Sequence, residues 1–188
     1  MVIDSLINPN KRVLSRIIAH RGNIGGSNPE VENSPEQIDK CIAEGYDVEI
    51  DLRYDDLTRT LWLGHDSPDY KVTWYWLAQR IRYLWVHCKT YNTLSELSDQ
   101  SLPKERGYDV DTGGCNYFWH QEDDYTITSN NIIWAYPGKP YSDIQMLKDN
   151  PNIYNTVLVM PEWNKMDWES LRVLRCYGIC TDHPEKLK

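Results

Sequence analysis

Short apolar runs rich in β-branched and aromatic residues recur along the chain, each closed by polar or turn-forming residues. This rhythm predicts strands separated by loops or helices. Eight runs stand out, at residues 16–19, 47–52, 60–64, 84–88, 116–119, 131–136, 155–160 and 177–181. Helical patterns lie between several of them. At Ser34-Pro35-Glu36-Gln37 a capping serine, a proline at the first helical position and a capping-box glutamine open a helix; Ile38, Cys41 and Ile42 form its apolar face and Gly45 ends it. Thr73 caps a second helix, with Trp74, Leu77, Ala78 and Ile81 as its buried stripe. A third is expected over residues 166–176, with Trp168, Leu171 and Leu174 on one side and Gly178 as its stop. Weaker helical patterns fall at 93–98 and 142–148.

Alternation of strands and helices with eight strands predicts an α/β fold, a compact (βα)8 TIM barrel. Such barrels ordinarily take about 250 residues, so 188 residues require some helices to be missing or shortened. The gaps 52–60 and 120–131 are too short and polar for a crossover helix. An open doubly wound α/β sheet is the alternative. Gly22, Gly25 and Gly26 fit neither the GxGxxG nor the GxxxxGK[ST] spacing, which takes support from its nucleotide-binding versions. The length suits a single domain over residues 1–188.

A net charge of -8 argues against general affinity for nucleic acid or anionic lipid, so any anionic substrate needs local cations. No charged segment followed by an apolar run opens the chain, and no run approaches the roughly 18 apolar residues of a membrane span. A cytoplasmic protein without stable membrane insertion is the expectation. The five cysteines are odd in number and form no CxxC pair, which fits reduced thiols. Cys88 and Cys180 read as small core residues, and a zinc site from Cys176, Cys180 and His183 lacks a second half. Eight Trp and thirteen Tyr stand against one Phe, so some rings are expected to line a pocket while most fill the core.

The chemistry-bearing residues gather at the carboxyl ends of the expected strands, where a parallel barrel assembles its active site. His20-Arg21 ends the first, Glu49 and Asp51 lie on the second, His65-Asp66 ends the third, and His87 and Lys89 lie on the fourth. Residues two apart on a strand share a face, so Glu49 and Asp51 point together while Val48, Ile50 and Leu52 take the other side. Two adjacent carboxylates repel unless a cation joins them, as a divalent ion would; a salt-bridged pair on an exposed face near Arg53 is the plainer alternative. Two histidines at separate strand ends suit acid and base work near neutral pH, although each alone also reads as a core or turn residue.

In combination these residues resemble the glycerophosphodiester phosphodiesterase family. The pattern is carried by Ile17-Ile18-Ala19-His20-Arg21-Gly22, Glu32-Asn33-Ser34, Val48-Glu49-Ile50-Asp51-Leu52, Leu63-Gly64-His65-Asp66 and the closing Gly178-Ile179-Cys180-Thr181-Asp182-His183-Pro184. Residues 105–151 contribute little to it. The resemblance implies a TIM barrel that hydrolyses a phosphodiester with one divalent ion. By position Glu49 and Asp51 match its metal carboxylates, His20 and His65 its acid–base pair, Arg21 and Lys89 its phosphate-binding cations, and Glu32 a glutamate near metal and substrate. One departure stands out: the family's Glu-x-Lys strand here reads His87-Cys88-Lys89, which makes His87 the third metal candidate. Mg²⁺ or Ca²⁺ is then the first expectation, with Mn²⁺ or Zn²⁺ admitted by the imidazole; Glu32, Glu122, Glu162 or a water could fill the place instead. The partner expected is a small phosphodiester, with lipid metabolism as the setting. Tyr117, Trp134, Tyr136 and Trp163 are candidates for stacking on it, and His120, Glu122 and Glu162 are secondary site candidates. The competing readings are a barrel that binds a phosphorylated ligand without turnover, and an enzyme resembling the sphingomyelinases D or the phosphoinositide lyases.

Overall fold

The computed structural model describes residues 15–99, 115–136, 149–150 and 153–188. The ten strands among the described residues belong to one sheet. They are β1 (Arg16–Ala19), β2 (Asp47–Asp55), β3 (Thr60–Leu63), β4 (Tyr70–Val72), β5 (Leu84–Cys88), β6 (Asn116–Phe118), β7 (Tyr125–Ile127), β8 (Ile133–Ala135), β9 (Thr156–Val159) and β10 (Gly178–Thr181). The α-helices among the described residues are α1 (Pro35–Ala43), α2 (Trp74–Arg80), α3 (Tyr91–Ser98) and α4 (Trp168–Val173).

Strands β6, β5, β2, β1, β10, β9 and β8 run parallel in that order. The sheet curls. Five strand spacings separate β5 from β8, roughly 24 Å in a flat sheet, yet Trp85 of β5 and Trp134 of β8 have ring centroids 5.5 Å apart. Phe118 of β6 approaches Trp134 to 4.7 Å. Among the described residues no strand pairing joins β6 to β8, so side chains rather than a ladder bridge that gap.

Side-chain alternation sorts the core into an inner and an outer layer. Ile18, Trp85, Phe118, Trp134, Val157, Val159 and Cys180 pack inside the curl. Their strand neighbours Ala19, Val48, Ile50, Leu52, Val86 and Cys88 pack outside it against Ile38 and Cys41 of α1, and Leu158 and Ile179 pack against Leu171 of α4. Trp85 and Trp134 are each 1% exposed, and burying an indole contributes roughly 4–6 kcal/mol as an upper bound.

All eight expected strands form, but the third does not join the parallel strands, and among the described residues the sheet is curled rather than closed into the expected barrel. Strand β3 pairs antiparallel with the extended end of β2, Leu52 opposite Leu63, and β4 pairs antiparallel with β3. The seven residues between 52 and 60 cannot hold a crossover, so the chain turns straight back. Two short strands escaped the sequence reading, β4 and β7; each has three residues, too few to display an alternation.

Helix α1 is capped as expected, with Ser34 Oγ accepting from the Gln37 amide at 3.2 Å. The glutamine does not close a capping box. Its Nε2 donates instead to the Gly22 carbonyl at 2.8 Å, tying the helix to the turn after β1. Helix α4 is shorter than 166–176: Asp167 caps it and Leu174 is already extended. The Ser15 hydroxyl takes the carbonyls of Leu174 and Cys176, competing with another helical turn there. The stretch 142–148 lies outside the described residues.

Candidate active site

Three local constructions bring the chemical groups to one end of the curl. After β1 the chain makes a 3-10 turn, His20–Gly22, with Arg21 at φ 51°. That left-handed backbone is held from both sides: the Arg21 amide donates to Glu49 Oε2 at 3.1 Å, and the Asn33 amide donates to the Arg21 carbonyl at 2.9 Å. On β2, Asp51 stands opposite His87 of β5 in register, so their side chains leave neighbouring strands on the same face. The β2–β3 hairpin returns to the same level, where the Gly64 amide donates to the Asp51 carbonyl at 3.0 Å. His65 therefore arrives beside Asp51 from a hairpin rather than from the end of a barrel strand.

A pocket of about 180 Å³ is lined by His20, Arg21, Glu49, Asp51, His65, His87, Phe118, His120, Trp134, Tyr136, Val159, Met160 and Trp163. Glu49 is 3% and Asp51 1% exposed, which removes the reading of an exposed salt-bridged pair. Burial and the charge of Asp51 push the Glu49 carboxyl up. Burial would raise Asp51 as well, but His87, Arg21 and Lys89 hold it well below the usual carboxylate range.

Glu49, Asp51 and His87 bring one donor atom each within 4.8 Å of one another. The state of His87 follows from its other contact. Its Nε2 lies 3.3 Å from the His120 carbonyl, which can only accept, so Nε2 carries a proton. Its Nδ1 lies 3.0 Å from Asp51 Oδ1 and 4.0 Å from Glu49 Oε1: as an imidazolium the ring pairs with Asp51, which is how it holds that carboxyl low, and without the Nδ1 proton its lone pair faces both carboxylates. Asp51 Oδ1 is buried and accepts no well-formed hydrogen bond. Three electron-rich donors converging on one point repel unless a proton or a cation lies among them, so this donor set fits a divalent ion.

Glu32 and Lys89 reach the cluster through ion pairs. Arg21 joins Glu32 Oε2 through Nη1 at 3.2 Å and Asp51 Oδ2 through Nε at 3.3 Å, while Lys89 Nζ lies 3.6 Å from Asp51 Oδ1. His20 Nδ1 hydrogen-bonds Asp182 Oδ1 at 2.8 Å. Burial lowers the affinity of His20 for its proton, but the Asp182 bond and the Glu49 charge outweigh it and the ring ends above its ordinary value. His65 moves the other way: burial lowers it, Asp51 opposes, and Arg21 and Lys89 add to the lowering. His65 Nδ1 is 2.7 Å from Asp66, whose side chain is exposed.

The spacing of residues did not single out several groups that hold this arrangement. Asn33, at φ 61°, donates to Asp51 Oδ2 at 3.0 Å and accepts from the Asp51 amide at 2.9 Å, fixing both ends of that residue. Asp182 takes a second bond from Asn23 Nδ2 at 2.8 Å, and its amide donates to Glu162 Oε1 at 3.1 Å. Inward alternation was the available signal for Asp182, two beyond the inner-layer Cys180; nothing in the sequence marks Asn33 beyond its place between Glu32 and Ser34. Of the secondary candidates, His120 lines the pocket, Glu162 braces Asp182 from behind, and Glu122 is exposed and outside the lining. Trp134, Tyr136 and Trp163 line the pocket; Tyr117 packs on the outer layer instead. Cys176, Cys180 and His183 do not converge as a metal group, and the five cysteines are free and buried.

No helix among the described residues is long and apolar enough to cross a membrane. No protein-family model and no curated protein matches the chain. Among solved structures it is similar in fold to the crystal structure of a glycerophosphodiester phosphodiesterase from Agrobacterium tumefaciens, with a TM-score of 0.54 and 13% sequence identity, over 93% of this chain and 97% of that one.

Proposed function

We propose that this chain is a phosphoric diester hydrolase of glycerophosphodiester phosphodiesterase type, acting as a single domain on a small phosphodiester. The observation that carries the reading is the convergence of two buried carboxylates and the imidazoles of His20, His65 and His87 on one pocket. The fold likeness supports it at the level of architecture alone.

Glu49, Asp51 and His87 Nδ1 would hold a divalent cation. When bound, that ion supplies positive charge to a non-bridging phosphate oxygen. Arg21 and Lys89, held in place by carboxylates, add fixed positive charge where negative charge builds in the transition state. The opposite shifts of the two catalytic histidines divide the labour. His20, which Asp182 favours in its protonated form, donates to the leaving alkoxide, and His65, favoured neutral, accepts the proton of the attacking hydroxyl or water. A nitrogen ligand in place of an acid suits Mn²⁺ or Zn²⁺ better than Mg²⁺ or Ca²⁺.

The test is hydrolysis of bis(p-nitrophenyl) phosphate with Mg²⁺, Ca²⁺, Mn²⁺ and Zn²⁺ in turn, on wild type and on His20→Ala and His65→Ala. Metal-dependent turnover that falls about a hundredfold or more in each variant is expected. Absence of turnover with every ion would instead favour the barrel that only binds a phosphorylated ligand.

A further inference from the structure

His20 and Arg21 are neighbours in the chain, yet each is oriented by a carboxylate from a different part of it. His20 Nδ1 bonds Asp182 Oδ1 at 2.8 Å, and Arg21 Nη1 pairs with Glu32 Oε2 at 3.2 Å. The two carboxylates meet at one side chain. Asn23 Nδ2 donates to Asp182 Oδ1 at 2.8 Å and to Glu32 Oε1 at 2.9 Å. Its Oδ1 accepts from the Asn28 amide at 3.1 Å, and its own backbone N–H donates to the His20 carbonyl at 2.9 Å. A carboxylate only accepts and a backbone N–H only donates, so these contacts fix which end of the side-chain amide points where.

Asn23 is 1% exposed, and both hydrogens of its amide go to carboxylates. Burial pushes Glu32 and Asp182 up, but their hydrogen bonds, those from Asn23 among them, hold each below its ordinary value, so both stay ionised. Two anionic oxygens in contact with one nitrogen repel each other, and the N–H groups between them offset that repulsion. The result is a continuous run of polar contacts from His20 through Asp182, Asn23 and Glu32 to Arg21, closed by the peptide bond between its two ends. Neighbouring groups serve one arm each: the Ser27 hydroxyl donates to Glu32 Oε1 at 2.8 Å, and Glu162 takes the Asp182 amide.

The geometry points to Asn23 as a positioning residue that couples the two arms: its one amide sets Asp182 and Glu32 relative to each other, and so places the His20 imidazole relative to the Arg21 guanidinium. The inference rests on the phosphodiesterase reading for the roles of His20 and Arg21, but the coupling itself is measured without turnover.

Heteronuclear NMR of the metal-free protein observes the His20 Nδ1–H and the guanidinium N–H groups of Arg21. Asn23→Ala removes both bonds without adding charge, and Asn23→Asp sets a third carboxylate against the other two. Both sets of resonances should move together in each variant, further in Asn23→Asp, and kcat for bis(p-nitrophenyl) phosphate should fall about 10- to 100-fold. Ser27→Ala, which removes a donor to Glu32 alone, should move the Arg21 signals and leave His20 in place. Adding Glu32→Gln to Asn23→Asp gives the new carboxylate an N–H to accept, so the Arg21 signals should return toward wild type while His20 stays displaced. Asn23→Ala carries the test should charge repulsion unfold Asn23→Asp. Movement of one set or of neither in Asn23→Ala, an equal His20 displacement in Ser27→Ala, a double variant without recovery at Arg21, or full turnover despite displaced signals would each overturn the assignment. Joint displacement in a protein that hydrolyses no diester would leave the coupling standing and remove the phosphodiesterase.

Discussion

Asp182 shows how one buried carboxylate can set the behaviour of a neighbour. It orients His20 through Nδ1 and favours the imidazolium, while Asn23 and the brace from Glu162 fix its own position. Replacing it by Asn keeps the shape and removes the charge. For Asp182→Asn we expect kcat lower by about 10- to 100-fold, with the limb of the pH–rate profile that reports His20 moved to lower pH, because the charge that raised the proton affinity is gone. Stability carries the same sign. A histidine raised in the fold contributes stability that is present below about pH 6.5 and fades as pH climbs through the raised value; Asp182, lowered in the fold, contributes above about pH 4 and loses it on acidification. Urea denaturation at pH 5.5 and 9 should therefore separate wild type from variant more at the lower pH. An unchanged difference between the two pH values would remove the coupling. His20 was legible in the sequence as the end of an apolar strand; its partner, 162 positions away, was not, since strand order alone makes β1 and β10 neighbours.

At the scale of elements, the β2–β3 hairpin does what a barrel strand was expected to do. It delivers His65 by folding back, and Gly64 is the hinge of that delivery. Gly64 has φ 144°, and a Cβ there would collide with the Ser67 carbonyl and the Asp69 carboxylate. A substitution cannot relax by turning a flexible side chain, because the nearest obstacle is backbone. Gly64→Ala should cost about 2 kcal/mol or more in urea denaturation, and should lower turnover further than the stability loss explains by displacing His65 and the Asp51 carbonyl contact. Full activity in that variant would show that the hairpin does not position the site. The strand itself was visible from Thr60-Leu61-Trp62-Leu63; its direction was not, since hydrophobic alternation is the same read either way and pairing alone decides between parallel and antiparallel.

For the whole molecule, the site is a concentration of negative charge inside a folded core. Burial and Asp51 disfavour the ionised form of Glu49, so the metal-free protein gives up stability to keep that carboxylate. A raised acid loses stability as pH rises past about 4.3 toward its folded value. Glu49→Gln should therefore raise the melting temperature of the metal-free protein at pH 7.5, by about 2–4 °C for each kcal/mol relieved, and show little difference at pH 4. The same variant should lose the stabilisation that Mn²⁺ or Zn²⁺ gives wild type by binding the folded state; a wild-type melting temperature indifferent to every ion would remove the cation site. The sequence by itself determined eight of the ten strands among the described residues, the capped starts of α1 and α2, the shared face of Glu49 and Asp51, and the set of histidines and cations from which a site could be made. These follow from short-range rules: the two-residue repeat of a strand, capping chemistry, and the cost of burying apolar and charged side chains. Tertiary structure alone decided that β3 turns back, that His87 presents Nδ1 to the carboxylates because its other nitrogen meets the His120 carbonyl, and that Asp182 and Asn33 brace the site. Each of these depends on contacts between segments distant along the chain, fixed only when the sheet pairs its first and last strands and curls to bring β5 and β6 up to β8.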